Sequence, residues 1–537
     1  MPTRIYFPEK ENPNPKEGYF KRLCKGLLNG LFLLVCACGS AYLLFLSFPK
    51  KSYALVAWLA LAPFIWGVGK IKEIFRAFCY GWLTGFLFSA ACLYWVYYTC
   101  VHGGGLSEPL AYGAWLGLAL IVSLPFGLFG GSCVVLKKLG VFFPFLAACA
   151  WVSLEWIHQQ IAFYAFGFPW LMLGYTQWNL PQTLQIASFT GVYGVSFAVA
   201  FTGVSVGWGF ALDSVKKGLG HMLLAGALFL GVYEAGDNLL KQADIDLQRA
   251  DYLRVALLQP NIDQYKKWDE AFVGEINDVL LKMGYRLRRP LDLAVWPESV
   301  LPEAFSEPIY SIMFSSFARE SGAYQIIGSN MVEEGKNYVG AYVVSPQEKE
   351  KAQAYRKIKL VPFGEFIPLE EWVRRLFPDV EVLGALGAFE AGERFQAPLE
   401  ISGMKLGLNI CFESVFPQLW RNQSKQGAQV FVNITNDAWY FDTAAPYQHL
   451  AINVLRAVET GRPLLRAANT GFSAYIDPYG RIVRHTHLFT RETMEAVVPV
   501  WDSESINFYT QWGDWLAWLC VIFFFTMLMS TLALSDD

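Results

Sequence analysis

Cys411 closes a strand-like run, Leu406-Gly407-Leu408-Asn409-Ile410, and is the sole cysteine between residues 241 and 508 of a chain that holds ten. A lone thiol cannot staple its own domain through a disulfide, so its presence points to reactivity, as a nucleophile. Glu298 follows the apolar run Leu293-Ala294-Val295-Trp296 and Pro297, which puts a carboxylate at a strand end, where loops assemble sites on a rigid scaffold. Lys357 lies in the basic run Tyr355-Arg356-Lys357-Ile358-Lys359, just before Val361-Pro362-Phe363-Gly364-Glu365. Taken singly, each has a plainer reading: an inert core thiol, a solvated turn glutamate and a surface lysine. His449 reads as a structural histidine, because no His, Cys, Asp or Glu cluster around it has ligand spacing, and no metal is expected.

The elements that must position these groups are legible as periodic runs. Strand candidates are Leu253–Gln259, Leu291–Trp296, Tyr324–Gly328, Tyr338–Ser345, Lys405–Cys411, Gln429–Thr435 and Leu464–Ile476. Helical patterns cover Trp268–Leu287, Ile309–Glu320 and Tyr447–Thr460. The alternation predicts an α/β layered domain.

The rest of the chain is of another kind. Of 537 residues, 54% are hydrophobic and 16% aromatic, too apolar for a wholly soluble protein. Runs long enough to cross a bilayer fall near 27–48, 52–69, 77–99, 110–136, 140–157, 184–212, 219–236 and 513–533. The expected plan is a cytoplasmic segment over 1–26, seven transmembrane helices over 27–240, a catalytic domain over 241–508, and an eighth helix with a short cytoplasmic tail over 509–537. The net charge of −3 excludes a nucleic-acid partner.

Orientation follows from the basic residues. Arg4, Lys10, Lys16, Lys21, Arg22 and Lys25 precede the first span, and Lys70, Lys72, Arg76, Lys137, Lys138, Lys216 and Lys217 fall on the same side, against Lys50 and Lys51 on the other. The positive-inside rule then puts the domain outside the cytoplasm. Leu34-Val35-Cys36-Ala37-Cys38 resembles a lipoprotein cleavage box, yet the long charged preamble and six further spans favour a retained first helix.

In combination, Trp296-Pro297-Glu298, Tyr355-x-Lys357 with Val361–Glu365, and Cys411-Phe412-Glu413 resemble the carbon–nitrogen hydrolase (nitrilase) superfamily. Within that group the chain is similar to the apolipoprotein N-acyltransferases. The likeness extends to Gly167–Tyr175, Gly191–Ser196, Gln448-His449, Arg456, Arg462-Pro463, Arg466 and Asn469-Thr470-Gly471. The resemblance implies a four-layer αββα sandwich carrying a Glu298–Lys357–Cys411 triad. It also implies Glu365, Glu413, Phe412 and Trp268 as supporting residues, with Phe366, Trp439 and Trp170 toward the substrate or a lid. Three departures from the family pattern are Lys359 in place of histidine, His158 in place of arginine, and Phe412 in place of tyrosine.

The implied reaction is cofactor-free acyl transfer. Glu298 acts as general base, Cys411 becomes a thioester, and Lys357 stabilises the oxyanion. The donor is a phospholipid. The acceptor is the α-amine of a diacylglyceryl-cysteine on an apolipoprotein, since an α-amine near pKa 7.7–8.0 is far more often neutral than a lysine amine. Both arrive from membrane lipid at a bacterial inner membrane, with the domain on the periplasmic side of a monomeric enzyme. Phe366-Ile367-Pro368 through Leu376-Phe377-Pro378 and Val380–Phe389, with Gly384, Gly387 and Gly392, have the composition of a mobile lid. The rivals are a membrane-anchored amidase and an inactive lipid-binding scaffold.

Overall fold

The computed structural model describes residues 15–247, 250–347, 353–376, 389–501 and 506–534. Strands alternate their side chains between two faces, and the first strand shows how that builds layers. In β1 (Asp251–Gln259), Val255 and Leu257 join one core cluster while Ala256 and Leu258 join another. The first cluster holds Val295, Ile326, Leu408 and Val432 from both sheets; the second holds Leu280, Phe314 and Phe317 from the covering helices Val273–Gly284 and Pro308–Ser321.

β1 is followed by β2 (Leu293–Val295), β3 (Tyr324–Glu333), β4 (Lys336–Val344) and β5 (Gln353–Arg356). The second sheet is built from β6 (Leu399–Ile401), β7 (Met404–Ile410), β8 (Val430–Thr435), β9 (Leu464–Ala468), β10 (Ala474–Ile476) and β11 (Ile482–His485). β12 (Glu492–Val500) returns to the first sheet, antiparallel to β1. The sheet orders are β12-β1-β2-β3-β4-β5 and β11-β10-β9-β8-β7-β6. β1, β2 and β3 run parallel in one, β7, β8 and β9 in the other. With helices Pro417–Lys425 and Ala445–Thr460 on the second sheet, the result is an αββα sandwich of the nitrilase kind.

One expected strand is corrected. Leu464–Ile476 is two strands, β9 and β10, paired antiparallel with Ala474 opposite Arg466. The connection Asn469–Ser473 is polar and buried: Asn469 Nδ2 donates to the Ile262 carbonyl at 2.8 Å and Ser473 Oγ to Gln259 Oε1 at 2.9 Å.

The other half consists of long apolar helices. Six runs are long and apolar enough to cross a membrane: Cys24–Ser47, Ile74–Cys92, Glu108–Tyr164, Val192–Ala211, Val215–Ala243 and Trp515–Ala533. Eight were expected. Two of the expected spans fall in the single 57-residue run Glu108–Tyr164, which turns at Gly140 (φ 57°), and another corresponds to the shorter apolar run Ala54–Gly69. The expected span 184–212 begins as a continuous helix only at Val192.

Polar side chains buried between the halves tie them together. Gln448 Oε1 accepts from Trp95 Nε1 at 3.1 Å and Trp170 Nε1 at 2.8 Å, while its Nε2 donates to the Pro49 and Cys92 carbonyls, each at 3.1 Å. Gln159 Nε2 donates to the Val415 carbonyl at 2.9 Å, and Glu459 accepts from the Val192 N–H at 2.7 Å.

Candidate active site

Cys411 follows β7 directly and opens a short 3-10 turn, Cys411–Val415, with a backbone φ of 50°. A left-handed conformation is costly for a residue with a Cβ, and such strain gathers at functional sites. The turn is held from inside by Glu413. Its carboxylate accepts the N–H groups of Ile410 (2.7 Å), Ile358 (2.6 Å) and Lys359 (3.1 Å) and the hydroxyl of Tyr355 (3.1 Å). No arginine or lysine side chain bonds to it among the described residues. Glu413 thus joins the residue before Cys411 to the two residues after Lys357. Burial pushes its carboxyl up to about 7, against the opposing amides and the Lys357 charge.

Glu298 leaves the end of β2 through Trp296-Pro297. Its turn packs so closely on β3 that a Cβ at Gly328 would lie 2.3 Å from the Pro297 carbonyl and 2.6 Å from Glu298 Cα, so only glycine fits there. Lys357 follows β5, and its Nζ donates to Glu298 Oε1 at 3.0 Å and to Glu365 Oε1 at 2.6 Å. Glu298 Oε2 accepts the Asn436 N–H at 2.9 Å, and Glu365 Oε2 accepts the Val361 N–H at 2.8 Å. Burial by itself would lower the Lys357 pKa, but the carboxylates of Glu298 and Glu365 outweigh it and hold it well above the usual range. Burial, joined by the Glu298 carboxylate, drives the Cys411 thiol pKa up, with Lys357 opposing. Burial also raises the Glu365 carboxyl against the same lysine.

Three strand ends therefore bring Glu298, Lys357, Glu365 and Cys411 into electrostatic contact. Around Cys411, His449 Nε2 lies 3.1 Å from the cysteine's carbonyl oxygen; since that oxygen only accepts, Nε2 carries the hydrogen. His449 Nδ1 lies 3.0 Å from Asp437 Oδ1, and Arg466 Nη2 donates to Asp437 Oδ2 at 2.7 Å. Gly471 makes room for that ion pair, because a Cβ there would stand 2.3 Å from Asp437 Oδ2.

The remaining expected residues are spread around this centre. Phe412 is stacked on Phe168 (centroids 5.8 Å, 11°) and edge-on to Phe416 (5.3 Å, 90°). Trp170 is buried and stacked on Phe168 at 5.2 Å. Trp439 is half-buried in the 3-10 turn Asp437–Tyr440, with its ring 2.9 Å from where a Cβ on Gly103 would stand, and its carbonyl accepts the Thr99 hydroxyl at 3.2 Å. Phe366 is half-buried, and its carbonyl accepts the Phe363 N–H at 2.8 Å. Trp268 ends the 3-10 turn Lys266–Trp268, and its side chain lies outside the described residues. So do residues 377–388 of the expected lid, including Gly384 and Gly387.

Of the three departures, Lys359 donates to the Phe163 carbonyl, and His158 lines, with Glu155, a cavity of about 40 Å³ between Phe88, Phe126 and Phe168 in the helical half. Phe412 fills its place in the aromatic stack with no hydroxyl.

Two contacts with Glu298 are not legible from residue type. The Asn436 contact uses a backbone N–H, which nearly every residue carries. Lys267 reads as surface charge in Lys266-Lys267, yet it is 2% exposed and faces Glu298; burial pulls its ammonium down to about 8 against that carboxylate. Among the described residues no cluster of three or more His, Cys, Asp or Glu side chains could hold a metal ion.

Residues 254–507 match the carbon-nitrogen hydrolase family, and residues 40–205 match the apolipoprotein N-acyltransferase N-terminal domain. The apolipoprotein N-acyltransferase of Geobacter metallireducens is 36% identical over 502 residues, 90% of this chain and 92% of the relative. That of Methylococcus capsulatus is 31% identical over 493 residues, covering 90% and 93%. Among solved structures, Saccharomyces cerevisiae Nit3, a member of branch 10 of the nitrilase superfamily, aligns over 49% of this chain and 94% of its own at 17% identity, with a TM-score of 0.36. Matched along nine-tenths of its length at more than 30% identity, the chain belongs to the apolipoprotein N-acyltransferase family.

Proposed function

We propose that this membrane enzyme transfers a fatty acyl chain from a phospholipid, through a thioester on Cys411, to the α-amine of the diacylglyceryl-cysteine that begins an apolipoprotein. The observation that carries this reading is the ion-pair bridge from Glu298 through Lys357 to Glu365, which faces the buried thiol of Cys411.

Glu298 takes the Sγ proton as the sulfur attacks the ester carbonyl. Each carboxylate oxygen has two acceptor sites, so the contacts to Lys357 and Asn436 leave room for that proton. Lys357 and a backbone N–H beside Cys411 stabilise the oxyanion. Collapse expels the glycerol oxygen, which recovers the proton from Glu298, and a lysophospholipid leaves. The neutral α-amine then attacks the thioester, its proton returns through Glu298 to the sulfur, and an amide forms.

The 57-residue run Glu108–Tyr164 would be about 85 Å long as one helix, against a hydrocarbon core of about 30 Å, so it is read as two crossings. With Ala54–Gly69 as a further crossing the count is eight, and seven precede β1. The clustering of Arg4 through Lys25, Lys70, Lys72 and Arg76 on one side supports a periplasmic placement of residues 241–508 at the inner membrane.

Purified protein given labelled phospholipid is expected to carry hydroxylamine-sensitive label on Cys411, chased onto a diacylated peptide amine and absent in Cys411→Ala. Release of ammonia from small amides without lysophospholipid would replace this reading with an amidase.

A further inference from the structure

Two cations meet where the sandwich joins the end of a membrane helix. Phe163 and Tyr164 end the apolar run Glu108–Tyr164. Lys359 Nζ stands 4.7 Å from the Phe163 ring centroid and 5.9 Å from that of Phe416. Arg394 Cζ stands 5.4 Å from the same Phe163 centroid, 4.9 Å from Tyr164 and 5.7 Å from Phe395. Sharing one ring, the two charges lie at most 10.1 Å apart, the sum of the two distances.

Among the described residues neither cation makes an ion pair with a carboxylate. Glu413, the carboxylate acting on Lys359, is committed to three amides and a phenol. Aromatic faces attract cations but do not neutralise them. Burial, joined by the Arg394 charge, pulls the Lys359 ammonium down, the mark of a cation lacking its counter-ion. The surroundings are those of a lipid interface, since Tyr164, Phe166, Phe363 and Phe395 expose large apolar side chains. The Lys359 backbone is also fixed relative to the nucleophile, because Glu413 holds the Lys359 N–H and the Ile410 N–H next to Cys411.

We propose that Lys359 and Arg394 form a subsite for the phosphodiester of the phospholipid acyl donor, holding the head group at the bilayer surface while the ester carbonyl reaches Cys411. Guanidinium and ammonium groups are the side chains suited to phosphate oxygens. The inference rests on the phospholipid reading above and adds a selectivity to it. A diacylglycerol carries the same esters without the phosphate and is therefore a poor donor.

The test is single-turnover acylation of Cys411 in neutral detergent micelles, with phosphatidylethanolamine or diacylglycerol of identical chains. Wild type is expected to favour the phospholipid. Arg394→Gln and Lys359→Gln are each expected to lower its kcat/KM about tenfold, chiefly through KM, and to leave the diacylglycerol rate within about twofold. Arg394→Lys, which keeps the charge, should recover part of the loss. The proposal is overturned if wild type uses both lipids equally, or if the variants slow both donors alike or neither. Failure of wild type to be acylated by either lipid would instead sink the acyl-donor reading.

Discussion

Lys357 Nζ lies closer to Glu365, at 2.6 Å, than to the Glu298 carboxylate at 3.0 Å. The lysine is therefore clamped by a residue on its own loop, and Glu298 shares its cation instead of owning it. Lys357→Ala would leave the buried Glu365 without its cation and Glu298 facing Lys267 alone, and would remove the charge that meets the oxyanion. Thioester formation is expected to fall at least about a thousandfold, roughly 4 kcal/mol. Glu365→Gln keeps one acceptor, but its amide NH₂ must then face either Lys357 or the Val361 N–H, both donors. A smaller loss, about ten- to a hundredfold in kcat, is expected, with circular dichroism unchanged. Equal effects from the two variants would contradict the clamp.

The raised pKa of Cys411 means that the resting site holds a thiol. The sign is straightforward: with the folded pKa above that of free cysteine, the thiolate fraction at pH 7 is smaller than the few per cent of an ordinary thiol. Alkylation of Cys411 by iodoacetamide is expected to climb with pH through 7 to 9 without levelling, and Glu298→Gln should abolish acyl transfer. A plateau in alkylation below pH 8 would show a preformed thiolate and remove the need for a base.

Much of the scaffold is legible in the sequence, and the misses have local causes. Val255 and Leu257 alternating with Ala256 and Leu258 announce a strand covered on both faces. β5, β6 and β11 escape because they are three- or four-residue strands at the sheet edges with polar residues interleaved, as in Ile482-Val483-Arg484-His485, and the nine-residue edge strand β12 escapes because Glu492, Glu495 and Pro499 break its apolar run. β9 and β10 were read as one strand because Asn469–Ser473 interrupts an apolar run only briefly. At the site, residue type alone leaves Glu298, Lys357 and Cys411 with plainer readings, and only their motifs taken together single them out. The resemblance implies Glu413 only as a supporting carboxylate, and its work as a splint is not legible, because backbone amides leave no trace in a sequence.

Gln448 uses all four hydrogen-bonding positions of its amide to hold two indoles and two carbonyls of the helical half. Gln448→Ala strands those groups in a buried place, where each unmet donor or acceptor costs about 1–3 kcal/mol before relaxation. The expected result is a drop in the thermal unfolding midpoint in detergent corresponding to about 2–5 kcal/mol. Gln448→Glu should fall between, since it still accepts from Trp95 and Trp170 but no longer donates. A midpoint within a degree of wild type would show that the halves are held elsewhere.

Phe412 is the neighbour of Cys411 whose ring continues the stack of Phe168 and Trp170. A thioester survives only where water is kept out, and this stack puts buried aromatic surface on the turn that carries Cys411. Phe412→Ala removes the end of the stack at a cost of about 3–5 kcal/mol in packing, and Phe412→Leu removes less. With phospholipid and no acceptor, wild type is expected to stop after one acyl group per cysteine, whereas Phe412→Ala should keep releasing free fatty acid. Mass spectrometry of that fatty acid, normalised to folded protein, reads the leak directly. If the variant also stops after one turnover, water is excluded by other residues and the stack serves packing alone.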